Sequence, residues 1–222
     1  MIRVAILSAL LALPMVSARA AEQLKAPPTA LDPTRGYVLV RLGERAPGVW
    51  NFVSLAAYDE AAQDLAGKGR AKVRPVPKGA DKAVIVREKP FLAEADNHRT
   101  HLVALTPGRY VIASSPTTCF CLGSYTIDVR PGVITDLGFI YIGAENGSSP
   151  WAAISKLHSA PDIEARGYTV ADAMAVVPAK ADTPVPAELA ALSRIPAEYG
   201  IAPRFGNHSG QLINRALPLE AK

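Results

Sequence analysis

The chain is poor in cysteine, in aromatic residues and in net charge. Of its 222 residues only two are cysteines and 6% are aromatic, while 24 Lys and Arg against 20 Asp and Glu leave a formal charge of +4. Two cysteines cannot hold together a disulfide-dense miniprotein, and the mixed composition excludes a coiled coil, a collagen and an acidic disordered tail. What remains is a globular chain, long enough for one fair-sized domain or two small ones.

Sequence motifs that mark common catalytic sites are missing as well. The chain has no Gly-x-Ser-x-Gly elbow, no Walker phosphate loop and no Gly-x-Gly-x-x-Gly dinucleotide motif. Zinc-site spacings such as Cys-x-x-Cys and His-Glu-x-x-His do not occur either. We therefore predict a protein that is not an enzyme and that needs no cofactor or metal.

The N-terminus has the features of an export signal. Arg3 precedes an apolar run over residues 4–16, which is followed by Ala18-Arg19-Ala20, a small-x-small cleavage pattern. We expect residues 1–20 to be a signal peptide that is cleaved after Ala20. An uncleaved membrane anchor is the alternative, but a membrane span needs about 20 uninterrupted apolar residues. The predicted location is therefore periplasmic or secreted.

Removal of this segment changes the balance of charge. Arg3 and Arg19 are its only charged residues, so the formal charge falls from +4 to +2 without it. Most of the positive mean hydropathy of the whole chain, +0.13, also comes from this segment. Neither charge nor hydropathy then favours a nucleic acid or a membrane as partner, and no later segment has the length of a transmembrane span.

Residues 36–143 alternate between apolar and polar side chains with the period of β-strands. The clearest case places Tyr125, Ile127 and Val129 on one face and Asp128 and Arg130 on the other. The apolar run at 83–86 is typical of a central strand. We expect seven or so short strands, at residues 38–42, 50–58, 83–86, 100–105, 109–113, 125–129 and 133–142.

Pro-Gly pairs separate several of these strands. They occur at Pro47-Gly48, Pro107-Gly108 and Pro131-Gly132. Proline presets φ near −65° and the following glycine accepts a positive φ, which a type II turn requires. Short strands joined by such turns, without long amphipathic helices between them, predict a mainly β fold, an antiparallel β-sandwich over residues 36–143.

The flanking regions are rich in proline and lack a clear period. Residues 21–35 are predicted to be an extended leader. Residues 144–222 form a Pro- and Ala-rich, loop-rich extension, whose large apolar residues favour packing on the sandwich over disorder. The extension contains one predicted short helix, at residues 186–194, which begins with Pro186 and stops before Pro196.

Cys119-Phe120-Cys121 is the most distinctive local feature. In a flat strand the Cα atoms of the two cysteines would lie ~6.6 Å apart, at the far edge of disulfide range, so a bridge requires a curled turn. Three interpretations stay open: a structural or strained disulfide, two unpaired thiols, and a redox or soft-metal site. Cys119 and Cys121 are therefore a possible disulfide or redox pair.

Other polar residues carry weaker signals. His98 and His101 would share one side of a helix, but they face opposite sides of a strand, which favours ordinary imidazoles over metal ligands. Asp128 and Asp136 could form an acid pair, yet their strand positions favour exposure to solvent. The basic stretch at residues 68–82 lacks interleaved aromatics, and a solvated loop is the better interpretation than a polyanion site.

One short stretch resembles a known kind of domain. Residues 105–110, Leu-Thr-Pro-Gly-Arg-Tyr, are similar to the strand, turn and strand of carboxypeptidase-regulatory-like and prealbumin-like β-sandwich domains. The wider stretch from Thr118 to Gly138 looks like uncharacterised exported bacterial proteins of that build. The resemblance implies an accessory or binding module and supplies no catalytic residue.

Together these patterns predict an exported, non-enzymatic binding or envelope-accessory protein. Its partner would be an unknown envelope protein or a small ligand. Two alternatives remain: a thiol-disulfide or copper-handling protein that uses the Cys-x-Cys pair, and a structural component of an envelope complex.

Overall fold

The computed structural model describes residues 20–46, 49–66, 83–95, 98–115, 118–144, 172–203, 205–206, 212–213 and 216–218. The strands in these ranges are β1 (Glu22–Gln23), β2 (Gly36–Ala46), β3 (Val49–Trp50), β4 (Val53–Asp59), β5 (Asp64–Leu65), β6 (Ala83–Val86), β7 (Ala93–Ala95), β8 (His98–Leu105), β9 (Gly108–Ser114), β10 (Thr118–Cys119), β11 (Ser124–Val129), β12 (Ile134–Ala144), β13 (Asp172–Val177), β14 (Arg194–Pro196), β15 (Tyr199–Ala202), β16 (Leu212–Ile213) and β17 (Ala216–Pro218). Residues 1–19 of the predicted signal peptide (1–20), the basic stretch at 68–82 and the turn at Pro47-Gly48 lie outside the described residues.

The strands form two sheets. The first has the order β1-β8-β2-β12-β13-β17, with β14 beside β12, β3 beside β2 and β7 beside β8. The second has the order β15-β11-β9-β10-β16, while β4 pairs with β5, β6 and β9. Most pairs are antiparallel, but four run parallel: β2 with β12, β12 with β14, β13 with β17, and β10 with β16. The connection from β2 to β12 includes every strand of the second sheet except β15 and β16, and parallel pairing requires such a long crossover.

The main core lies between the sheets, so the predicted β-sandwich is confirmed. Inward-facing residues of β2, β8, β12 and β13 meet those of β4, β6, β9 and β11 in one buried cluster. Its members alternate along most of these strands, as the period of two requires, but on β12 the step from Leu137 to Ile140 crosses a register shift. They include Val38, Val40, Leu42, Val53, Leu55, Val103, Leu105, Ile112, Ile127, Leu137, Ile140, Met174 and Val176.

The strand at 83–86 is placed differently from the prediction. Among the described strands β6 pairs only with β4, so it lies at an edge and not in the centre. Val84 and Val86 are buried in the core, whereas Ala83 and Ile85 on the opposite face are exposed. An unbroken apolar run does not distinguish the two positions, because an edge strand can carry apolar residues on its open face.

The turn at Pro131-Gly132 has the predicted geometry at its glycine. Gly132 has a φ of +68°, as the third residue of a type II turn requires. Its amide donates to the carbonyl of Arg35 at 2.7 Å, which ties the turn to the start of β2.

The flanking regions take part in the sheets. The leader supplies β1, in which Glu22 and Gln23 pair with β8. The described C-terminal residues do more than pack against a sandwich of residues 36–143, since they supply β13, β14 and β17 to the first sheet and β15 and β16 to the second. A second apolar cluster on the outer face of the first sheet is covered from both flanks, by Leu24, Leu31, Val185, Leu189 and Leu192.

The helix expected at 186–194 is shorter in the structure. Only Ala187–Leu189 is helical, as one 3₁₀ turn, and Arg194 already begins β14. A single turn gains few hydrogen bonds for the residues that it fixes. Pairing of residues 194–196 with β12 satisfies the backbone instead. Among the described residues no helix is both long and apolar enough to cross a membrane.

Candidate functional site

A pocket of about 290 Å³ lies on the outer face of the second sheet. Its floor consists of small side chains from three neighbouring strands: Ser54 and Ala56 on β4, Ala83 on β6, and Ala113 and Ser114 on β9. The register brings them together, because Ser54 is opposite Ser114 and Ala56 is opposite Ala83. The floor lies close to the backbone of the sheet because its side chains are only those of alanine and serine.

One wall of the pocket is formed by Leu65 together with Phe205 and Gly206. The carboxylate oxygen Oδ1 of Asp64 accepts hydrogen bonds from the amides of Leu65 and Gly206, both at 2.7 Å. The ring of Phe205 meets that of Tyr58 edge to face, with centroids 6.4 Å apart. Phe205 is only 3% exposed, so this wall is packed into the third apolar cluster of the molecule.

The facing wall is the turn that carries Cys119 and Cys121. β10 ends at Cys119, and the chain then curls so that the two Cα atoms lie 5.2 Å apart with the sulfurs at disulfide distance. The predicted need for a curled turn agrees with this spacing. Phe120 between them is buried in the core between the sheets, and its amide donates to the carbonyl of Ala113 at 2.9 Å.

The two cysteines differ in accessibility. Cys121 is 1% exposed, whereas Cys119 is half-buried. The remaining lining is apolar apart from the hydroxyl groups of Ser54 and Ser114, and it contains no acidic, basic or imidazole side chain among the described residues. Such a lining suits an uncharged, largely apolar molecule that carries one or two hydrogen-bonding groups.

The structure separates the two histidines that the sequence singled out. Both lie on β8, but the ring of His98 contacts Phe139 on the outer face, whereas His101 faces inward and is 1% exposed. The described residues contain no group of three His, Cys, Asp or Glu side chains that could hold a metal ion. His158 and His208 lie outside the described residues.

His101 is buried in a network with the leader. The amide nitrogen Nε2 of Gln23 lies against the carbonyls of Arg87 and Pro90, which use both of its hydrogens. Nδ1 of His101 lies 3.1 Å from the carbonyl oxygen of Pro90 and 3.0 Å from Nε2 of Gln23. Nε2 of His101 has no partner among the described residues. Burial is the main reason that the pKa of His101 falls from 6.5 to about 4.

Asp128 and Asp136, expected on exposed positions, have different surroundings. Asp128 is exposed, and hydrogen bonds from Arg109 lower the pKa of its carboxyl group. The expectation was wrong for Asp136, which is 0% exposed and accepts hydrogen bonds from Arg41 and Arg194. The period-two pattern placed Asp136 on the outer face correctly, but it did not reveal that this part of the face is covered.

The pocket was not predicted from the sequence. Its only sequence signal is the alternation of small residues, Ser54 and Ala56, on one face of β4, together with the Cys-x-Cys pair. Residues 54, 83, 113, 119 and 205 meet only through strand pairing and packing. No protein-family model matches the chain, and comparisons with curated proteins and with solved structures find no match to it either.

Proposed function

We propose that the protein is an exported, non-enzymatic binding protein that holds a small, largely apolar molecule in the pocket between Leu65, Phe205 and the Cys119–Cys121 turn. One observation carries the proposal: a cavity of about 290 Å³ with a floor of small side chains and two walls that are fixed by hydrogen bonds. Its volume is near the lower end of that of small-molecule sites, about 300 Å³.

The lining supports a neutral ligand. A charged ligand would lose its hydration among Ala, Leu and Phe side chains without gaining an oppositely charged partner from the described lining. An apolar ring fits better, since it releases water from the pocket and can contact the polarizable cysteine sulfurs. The hydroxyls of Ser54 and Ser114 can orient one polar group of such a ligand.

Export and an oxidised cysteine pair belong to the same proposal. Disulfides form and persist outside the reducing cytosol, in the periplasm or after secretion. The predicted signal segment and the sulfurs at disulfide distance are consistent with each other. An accessory β-sandwich module, which the resemblance of residues 105–110 implies, is likewise consistent with binding.

The alternative of a thiol-disulfide or copper-handling protein has one observation in its favour, because Cys119 lines an open pocket. Activated thiols and copper sites need further groups near the sulfur, such as a basic side chain, a helix N-terminus or additional soft ligands. The described lining contains none of these. The geometry therefore supports ligand binding better.

The proposal is tested by titrating the oxidised protein with indole, a neutral bicyclic molecule with one hydrogen-bond donor, in a calorimeter. We expect saturable binding of one indole per chain. Ala113→Leu fills the floor and should abolish it, whereas Ala190→Leu makes the same change at an exposed position outside the pocket and should leave it intact. Absence of saturable binding, or equal binding to both variants, would contradict the proposal.

A further inference from the structure

The two walls of the pocket are directly connected. The amide of Phe205 donates to the carbonyl oxygen of Cys121 at 3.0 Å. At the next residue, the amide of Gly206 donates to Asp64 at 2.7 Å. Residues 205 and 206 therefore span from the cysteine turn to β5, and each end has its own hydrogen bond.

The two cysteines are not equally fixed by the rest of the fold. Cys119 is the last residue of β10 and pairs with Ser114 on one side and with Ile213 on the other. Cys121 lies beyond the strand, in the turn that leads to β11. A change in the spacing of the two cysteines therefore displaces Cys121 more than Cys119.

That spacing depends on the bond between the sulfurs. The Cα atoms are 5.2 Å apart, shorter than the ~6.6 Å between alternate residues of a flat strand. A covalent bond keeps the turn curled and so keeps the carbonyl of Cys121 where Phe205 meets it. Two separate thiols impose no such limit, and the turn can then extend.

We infer that the Cys119–Cys121 pair is a redox latch for the pocket: the oxidised pair holds Phe205 in the wall, and reduction releases it and weakens ligand binding. The inference rests on the proposed binding function and adds its regulation. The reductant is a dithiol, either a small molecule or the active site of a thiol oxidoreductase.

The chemical step is a thiol-disulfide exchange. A thiolate of the dithiol attacks Sγ of Cys119, because Cys119 lines the pocket and is the more exposed of the two cysteines. The S–S bond breaks, and its electron pair leaves on Sγ of Cys121, which takes up a proton. The second thiol then attacks the mixed disulfide and releases Cys119, which takes up another proton. Two electrons pass to the protein, and the dithiol becomes a disulfide.

The experiment compares indole affinity in the oxidised protein and after reduction by dithiothreitol. We expect reduction to weaken binding at least about fivefold, within the usual range of coupling between two sites. The double variant Cys119→Ser and Cys121→Ser should bind as weakly as the reduced chain and should not respond to dithiothreitol. Equal affinity of the oxidised and reduced chains would overturn the latch and leave the binding function standing.

Amide hydrogen exchange tests the latch separately from the binding function, because the measurement needs no ligand. Reduction should accelerate exchange at Phe205 and leave Leu39 and Val103 in the first sheet unchanged. Unchanged exchange at Phe205 would overturn the latch even if indole bound to neither form. Loss of protection at all three amides would also overturn it, since the bond would then stabilise the whole fold and not one wall.

Discussion

Nη1 of Arg41 lies 2.7 Å from Oδ1 of Asp136, and the two side chains are 2% and 0% exposed. The other carboxylate oxygen of Asp136 lies 2.7 Å from Nη1 of Arg194, and the amide of Gly138 also donates to Oδ1 at 2.9 Å. The carboxylate thus joins β2, β12 and β14, so that one buried charge connects the first long strand of the sandwich to a strand of the C-terminal region.

Replacement of Asp136 by Asn should destabilise the fold strongly. The amide keeps the size of the side chain but leaves the buried guanidinium of Arg41 without a counter-charge. Removal of one partner of a buried pair costs roughly 3–5 kcal/mol. The free energy of unfolding from urea titration measures the loss.

Asp128→Asn is the matched control. Asp128 also binds an arginine, Arg109, at 2.7 Å, but its side chain is 52% exposed. Exposed pairs contribute at most about 1 kcal/mol. Equal losses in the two variants would show that burial does not govern the Asp136 interaction.

The buried imidazole of His101 should make the fold sensitive to mild acid. Its pKa is about 4 in the folded state against 6.5 ordinarily, so the unfolded chain takes up the proton first. The contribution of His101 to the free energy of unfolding is therefore complete above pH 6.5, and it declines by about 3 kcal/mol as the pH falls to 4. Urea titrations at several pH values between these limits measure the slope.

His101→Gln should flatten this dependence, whereas His98→Gln should preserve it because His98 lies on the other face of β8. The ion pair of Asp128 changes the stability only at lower pH, since the pKa of that carboxyl group lies below its usual 3.8. An unchanged slope in His101→Gln would refute the assignment.

Gly138→Ala should be among the most damaging single changes. Gly138 has a φ of +78°, and a Cβ atom there would lie 2.1 Å from the carbonyl oxygen of Val177 and 2.5 Å from the amide nitrogen of Ala179. Backbone cannot move aside as a side chain does. We expect a loss above about 4 kcal/mol, measured as a fall of the thermal midpoint or as failure to fold.

Gly132→Ala provides the comparison for that change. Gly132 also has a positive φ, +68°, but the nearest atom to an added Cβ is Cα of Pro33 at 3.4 Å. The cost is then mainly that of the left-handed backbone, about 1 kcal/mol. Similar losses in the two variants would contradict the steric explanation.

The two packed tyrosines Tyr125 and Tyr199 should respond oppositely to loss of the hydroxyl. Their rings meet edge to face at 5.3 Å, yet the hydroxyl of Tyr199 donates to the carbonyl of Leu137 and that of Tyr125 has no partner among the described residues. Tyr199→Phe should cost about 1 kcal/mol, while Tyr125→Phe should be neutral or stabilising. The thermal midpoints of both variants test this expectation. A clear fall of the midpoint in Tyr125→Phe would contradict it, since it would show that the hydroxyl of Tyr125 makes a stabilising hydrogen bond.

Much of the central sandwich could be predicted because its signals are local. Tyr125, Ile127 and Val129 alternate with polar residues, so one face of β11 is apolar in any context. The glycine of Pro131-Gly132 likewise takes up its positive φ within a few residues. Such features depend on backbone sterics and on the period of a strand, and both are properties of a short stretch of chain.

The C-terminal strands and the pocket could not be predicted in this way. Residues 194–196 form a strand because the edge of β12 accepts them, although Pro196 suggested only a stop signal. Phe205 forms a wall of the pocket because two hydrogen bonds hold this segment in place. The amide of Phe205 donates to the carbonyl of Cys121, and the amide of Gly206 donates to the carboxylate of Asp64. Both acceptors are distant in the chain. Contacts between residues so far apart in the chain produce no periodic pattern in the sequence of either segment.

The sequence by itself determined the class of the fold, the strands of its centre and the nearness of the two cysteines, because alternation, turn residues and covalent proximity act over a few residues. Only the tertiary structure decided that Asp136 is buried beside Arg41 and that Cys119 and Cys121 face small side chains across a pocket. These features arise where strands far apart in the chain are brought together, and the burial of apolar surface between the two sheets is what brings them there.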